Sequence, residues 1–234
     1  MAQLVVVRHG QASLFAADYD VLSERGIEQA KRLGAHLRAT GTRFAGAFTG
    51  PARRQRDTAR WAGGDEAPWP ELVVVPELDE HDAFTMVARV VPQLQSDPEI
   101  GPLAARLAEP AEAGARGATF QLLFEAVMRK WLRSELDAPE LEAWPSFRER
   151  VRRGLGHALE GADKGDKRIV FTSVGPIAVM LQHALGLDDV RAFETAWRIR
   201  NASITTFVVR GREVTLDSFN ALPHLPDPTA WTFR

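Results

Sequence analysis

The sequence predicts an α/β fold of three layers, α/β/α, on a mostly parallel sheet with an antiparallel edge strand and an inserted helical cap. Three observations predict it. Short β-branched runs alternate with helix-period segments over residues 4–82 and again after 167, the last two strand-like runs follow one another directly, and residues 84–160 interrupt the rhythm with helical sequence. Strand and helix in alternation imply a mainly parallel sheet covered on both faces, and a terminal hairpin adds the antiparallel edge. A chain of 234 residues, 45% hydrophobic and 26% charged, suits one globular domain spanning 1–234, with 84–160 an insertion in it.

The elements follow in order. Leu4 to Val7 is a short apolar strand. In "LSERGIEQAKRLGAHLRATG" Ser23 is placed to cap a helix, Ile27, Ala30, Leu33, Gly34 and Leu37 fall at helical spacing, and Gly41 closes it. "FAGAFTG" reads as a second strand, and "PARRQRDTARWAG" as a helix with proline at its start and glycine at its end. "ELVVVPEL" is a third strand, stopped by Pro76. Within 84–160 the stretch 92–117 is loosely patterned and rich in proline, its Ala/Gly/Glu-rich part from Ala108 to Gly117 is expected to be mobile, and two amphipathic helices follow near 119–137 and 145–160. "KRIVFTS" is a fourth strand, "GPIAVMLQHALG" a helix starting at Gly175-Pro176 and ending at Gly186, and "ASITTFVVRGREVTLDSF" a hairpin around Arg210-Gly211-Arg212.

Composition excludes several functions. The formal charge of -2 provides no basic field, which disfavours nucleic acid as a partner and makes any anion site local. The absence of cysteine removes disulfides, thiolate metal sites and a thiol nucleophile together. Only four apolar residues precede Arg8 and His9, too few for a signal peptide or a membrane span, so a cytoplasmic protein without membrane contact is expected. His36, His157 and His183 sit in expected helices without paired ligand spacing, so no metal and no cofactor is expected, and Trp61, Trp131, Trp144 and Trp197 read as packing.

Chemistry concentrates at Arg8-His9-Gly10. A glycine after a strand end lets backbone approach a ligand closely, at the edge of the sheet where α/β folds bind ligands. Arginine grips phosphate with a planar fork of donors, and imidazole can accept a phosphoryl group. A surface Arg-His pair on a turn is the competing reading of these three residues.

The rest of the chain shifts the balance. "VVVRHGQAS", "LSERGIEQAKRLGAHL", "TGPARRQRDTA" and "ELDEHDAF", in that order, resemble the opening half of the histidine phosphatase superfamily, the phosphoglycerate mutase-like family. The resemblance covers most of residues 3–82 and resumes in 146–186 and about 199–225. It implies that His9 is the nucleophile and forms a phosphohistidine, that Arg8 and Arg54 hold the phosphoryl oxygens, and that Glu80, in "LDE", is the proton donor. His81 beside it is a further candidate for substrate contact, and Arg198 and Arg200 border the same implied pocket. The implied partner is a small phosphorylated substrate, with no cofactor.

One motif departs from the family. Where members carry "V-S-H-G-G-V-I", this chain has "F-T-S-V-G-P-I", so Val174 stands in place of a second histidine. Valine neither donates a hydrogen bond nor carries charge. Ser173, the backbone N–H groups beginning at Gly175, and His224 are the candidates to compensate. The family's asparagine after Arg-His-Gly is replaced near Phe15 or Ala16, leaving Gln11 and Ser13 as donors. Three functions follow: a phosphomonoester hydrolase, a non-catalytic phospholigand-binding pseudo-phosphatase, or a phosphoglycerate mutase, with the hydrolase favoured because a pure binder has no need of Glu80.

Overall fold

A computed structural model describes residues 1–13, 20–211 and 213–233. Phe15, Ala16 and Arg212, each named in an expectation above, lie outside the described residues. The chain divides into two compact units, Met1–Glu80 with Arg148–Arg234, and His81–Phe147.

The first unit is built on a sheet of six strands, β1 (Ala2–Arg8), β2 (Gly46–Thr49), β3 (Leu72–Val74), β4 (Lys167–Thr172), β5 (Ile204–Arg210) and β6 (Glu213–Ala221). Their order is β3-β2-β4-β1-β5-β6. β1, β2, β3 and β4 run parallel, whereas β5 is antiparallel to β1 and β6 to β5. This is the mixed α/β sheet that the alternation of runs predicts, with the hairpin as its antiparallel edge.

β1 is central, and its sequence shows why. Leu4, Val5, Val6 and Val7 are all buried, as expected of a strand covered on both faces. Val5 and Val7 join Ile169 and Phe171 of β4 in one core with Leu33 and Leu37 of α1 (Glu24–Ala39) and Ala59 and Ala62 of α2 (Arg53–Gly63). The two helices approach so closely that a Cβ on Gly34 would lie 1.9 Å from the Ala62 carbonyl oxygen. Ser23 caps α1 as the sequence predicts, its Oγ accepting from the Gly26 N–H at 3.1 Å.

The helices of the second unit are α3 (Ala83–Val90), α4 (Ile100–Ala108) and α5 (Ala113–Leu132). The expected loose stretch 92–117 therefore contains α4, and α5 starts six residues before and ends five residues before the limits read from the sequence. Pro102 is compatible with α4 because its missing N–H belongs to the first turn, where donors have no helical partner, and Asp97 caps the start by accepting from the Glu99 and Ile100 N–H groups. Alanine and arginine also carry high helix propensity, which offsets the glycines at the start of α5. The core of this unit stacks His81 on Trp131, ring centroids 4.7 Å apart, with Trp144 and Phe147 against them. His81 is thus a packed ring of an aromatic cluster.

α6 (Trp144–Leu159) belongs to the first unit from Arg148 onward, with α7 (Val174–Leu185) and α8 (Asp189–Ala196). α7 is almost wholly buried from Gly175 to Gln182. Among the described residues no helix is long and apolar enough to cross a membrane.

Candidate active site

The carboxyl ends of β1 and β4 are paired through Arg8 and Thr172. His9 leaves β1 with its backbone fully engaged: its N–H donates to the Thr172 carbonyl at 2.9 Å, and its own carbonyl accepts from the Ala202 N–H and from Asn201 Nδ2, each at 3.2 Å. Ala202 adopts a positive φ of 57°, a strained conformation for alanine, which turns the chain into β5 while aiming its N–H at the end of β1. Gly10 is required by the close approach of α1, since a Cβ there would stand 2.5 Å from the Gly26 carbonyl oxygen. Its N–H donates to Thr58 Oγ1 at 2.9 Å, which joins α2 to the same corner.

His9 is 4% exposed. Nδ1 lies 2.7 Å from the Gly10 carbonyl oxygen, and Nε2 receives a hydrogen bond from Arg54 Nε at 3.3 Å. A carbonyl can only accept and a guanidinium can only donate, so both contacts require the hydrogen on Nδ1 and the lone pair on Nε2. Burial, then the positive charges of Arg54 and Arg8, hold the His9 pKa well below its ordinary value, against smaller opposing effects of the Gly10 carbonyl and the Glu80 carboxylate. His9 is therefore a neutral imidazole with an unprotonated nitrogen facing a cation.

Arg54 sits on the first turn of α2 and is 9% exposed. Its Nη1 donates to Asp20 Oδ1 at 2.7 Å. The same carboxylate accepts from the Arg53 N–H at 2.7 Å and the Arg54 N–H at 3.2 Å, and so caps a helix whose own cap residue, Ala52, has no side chain able to do it. Gln55 completes the cap by accepting from the Ala52 N–H through Oε1 and donates through Nε2 to Ser173 Oγ at 2.8 Å. The Arg8 guanidinium is anchored by backbone carbonyls, donating to Ile199 and, at 2.7 Å, to Phe233.

Glu80 follows a 3-10 turn over Pro76–Leu78. The loop is pinned by Arg150 of α6, which donates to the Glu77 and Asp79 carbonyls, and by Thr172, which donates to the Leu78 carbonyl at 2.8 Å. Both Glu80 carboxylate oxygens lie 3.1 Å from the Gly175 N–H at the start of α7. The expected anion site at this helix start therefore faces a protein carboxylate. Burial raises the neighbouring Asp79 pKa, and the Glu80 N–H donates to its Oδ1 at 2.8 Å. Val174, the first residue of α7, adds no polar group.

The fold thus brings His9, Arg54 and Glu80 together, with Ser173 and Gly175 at the same sheet edge. Gln11 is engaged elsewhere, its N–H donating to Gln29 Oε1 and its Oε1 accepting from Ser23. His224 is buried with its ring 6.3 Å from that of His36, and the charge acting on it is that of His36, not of His9. The Arg200 guanidinium lies over Trp231 at 4.4 Å and is occupied by that stacking. Among the described residues no group of three or more His, Asp or Glu could hold a metal ion. Asp20 and Asn201 escape a reading of the sequence because their partners are remote in the chain, whereas Gln55 carries a local signal as the third residue after the cap position.

A lone-pair nitrogen beside a guanidinium, with a carboxylate near, suits attack on a phosphorus whose oxygens need cationic support. The fold that carries this corner is shared with known proteins. A mutant phosphoserine phosphatase from Entamoeba histolytica, in complex with phosphoserine, is similar with TM-score 0.65 and 18% identity, covering 96% of this chain and 100% of that one. A phosphoglycerate mutase from Bacillus anthracis is similar with TM-score 0.63 and 19% identity, covering 96% and 95%. An α-ribazole phosphatase from Shigella flexneri gives 0.61 and 19%, covering 94% and 96%. No curated protein matches the chain. The model of the histidine phosphatase superfamily (branch 1) matches residues 4–117 and 103–222, and with most of its length so matched the chain belongs to that superfamily.

Proposed function

We propose that the protein is a phosphomonoester hydrolase acting through a phosphohistidine on a small phosphorylated metabolite. The observation that carries this reading is the fixed tautomer of His9, whose Nε2 lone pair faces Arg54 Nε at 3.3 Å. In the first step the Arg54 Nε hydrogen bond passes from Nε2 to a phosphoryl oxygen, Nε2 attacks phosphorus, the ester P–O bond breaks, and Glu80 donates its proton to the departing oxygen. In the second, water attacks phosphorus, the N–P bond breaks, and Glu80 takes the water's proton. Arg54 holds the phosphoryl oxygens in both steps, and Arg8, anchored by the Ile199 and Phe233 carbonyls, adds positive charge at the same corner. Ser173 and the Gly175 N–H are the polar groups that remain where the family motif has a histidine. His224, which faces His36, has no part at phosphorus in this proposal.

The sequence expectation of one domain with a helical cap at 84–160, in a cytoplasmic protein, is retained as part of the proposal. One observation favours a second reading, a phospholigand-binding protein without turnover: Val174 supplies no donor, and loss of one such donor costs about 10²–10³ in rate. A mutase ranks below both, because returning the phosphoryl group to a second hydroxyl requires water to be excluded.

Incubation with p-nitrophenyl phosphate, and acid-sensitive trapping of the phosphoenzyme, separate the readings. The hydrolase predicts turnover and a labelled enzyme, both absent in His9→Ala. Phosphate binding with neither would establish the binder, and interconversion of 2- and 3-phosphoglycerate would establish the mutase.

A further inference from the structure

We propose that Asp20 is a positioning residue for this site: its carboxylate holds the Arg54 guanidinium so that Nε is presented to Nε2 of His9. The inference rests on the hydrolase reading for its importance, but its geometry stands independently. One carboxylate accepts three hydrogen bonds, from the Arg53 N–H, the Arg54 N–H and Arg54 Nη1, at 2.7, 3.2 and 2.7 Å. It therefore fixes both the backbone that carries Arg54 and one nitrogen of its fork. The guanidinium is planar, so pinning Nη1 while the helix fixes the other end sets the direction in which Nε points. That direction is toward His9, 3.3 Å away.

An arginine on the first turn of a helix has little reason to stay buried without such a hold. Its side chain loses rotamer freedom when held and carries a full positive charge. Arg54 is nonetheless 9% exposed, and its side chain reaches both Asp20 and a neutral imidazole. Asp20 acts through Arg54, and it comes from a segment 34 residues before it in the chain.

Two variants test this, Asp20→Ser and Asp20→Ala, both of which remove the hold on Nη1. Serine retains an oxygen able to cap α2, so one variant remains readable if the other does not fold. The decisive readout is the titration of His9, followed by NMR of histidine-labelled protein. The charges that act on His9 are those of Arg54, Arg8 and Glu80. If Asp20 merely contributed negative charge, its removal would lower the His9 pKa, because a lost anion disfavours imidazolium. If Asp20 positions Arg54, the cation moves away and the His9 pKa rises by about 0.5–1. The same variants should lower kcat for p-nitrophenyl phosphate by about 10–10²-fold with KM changed much less, the signature of a displaced transition-state contact. A raised His9 pKa supports the assignment, and an unchanged or lowered one overturns it whatever the rate. If the wild type fails to turn over, the hydrolase reading falls while the titration still decides the role of Asp20.

Discussion

The ends of β1 and β4 lie side by side in the sheet and are furnished with opposite charge. At the end of β1 stand His9 and Arg8, with Arg54 drawn in from α2, and the imidazole is kept neutral by burial and by the two cations. At the end of β4 stand Ser173, Val174 and Gly175, and the group that meets the start of α7 is the Glu80 carboxylate. In the proposed reaction the first end receives the negative charge at phosphorus. The second holds the carboxylate proposed to serve the leaving oxygen, and offers phosphate a hydroxyl already bonded to Gln55. Adjacent strand ends can therefore serve different chemical roles. The side chains within one turn of the sheet edge decide which, and in this protein they divide cation from acid.

The largest effect should come from the β1 side. Arg54→Ala removes the guanidinium that contacts His9, the proposed nucleophile, and is expected to lower kcat/KM for p-nitrophenyl phosphate by about 10²–10³-fold. A loss within about threefold, a small fraction of that range, would show that this end does not hold the transferring group.

Val174→His probes the β4 side by restoring a donor beside Glu80. It should raise kcat by about 10-fold or more, up to the cost of one missing donor, about 10²–10³. No change in steady-state rate would mean that Ser173 and Gly175 already suffice.

Gly10→Ala addresses the packing beneath the β1 end. With its Cβ 2.5 Å from the Gly26 carbonyl oxygen, α1 must shift, and overpacking of this kind costs about 1–3 kcal/mol. Urea unfolding should show the lower midpoint, with activity falling in parallel because the Gly10 carbonyl also accepts from His9 Nδ1.

Near neutral pH the smallest effect is in the pH dependence of stability. His9 and His224 both have folded pKa values below the ordinary 6.5, His224 at about 4 because of burial and the nearby His36. The unfolded chain therefore binds more protons below 6.5, so their contribution is present above that pH and is lost as pH falls. For His224 the loss runs from about 6.5 to about 4 and amounts to about 2 kcal/mol at pH 5. His224→Leu should flatten this decline in thermal melts between about pH 7 and 5 while leaving the His9 share. An unaltered slope would mean that His224 titrates alike in the folded and unfolded chain.

Legibility in the sequence follows the range of the forces involved. The Leu4–Val7 run, the Ser23 cap and the apolar spacing of α1 act within a few residues, and each appears in the structure where the sequence places it. α4 does not, because proline in a first turn looks like a breaker when the turn itself is unseen. At the site, His9, Arg54 and Glu80 can be named only through the order of several motifs, since nothing in a spacing of 45 residues tells that Arg54 reaches His9. Asp20 is invisible for the same reason. The tautomer of His9 is also out of reach, because the Gly10 carbonyl that fixes it acts through geometry alone.

The central claim is that the β1 end delivers a neutral, nucleophilic His9 to phosphorus. Rapid mixing of the enzyme with p-nitrophenyl phosphate, followed by alkaline quench and peptide mapping, tests it most directly. A phosphoryl group on the peptide containing His9, appearing before steady-state product and absent from His9→Ala, is the predicted result. Product formed at an undiminished rate by His9→Ala, or phosphate bound by the wild type with His9 unmodified, would contradict it.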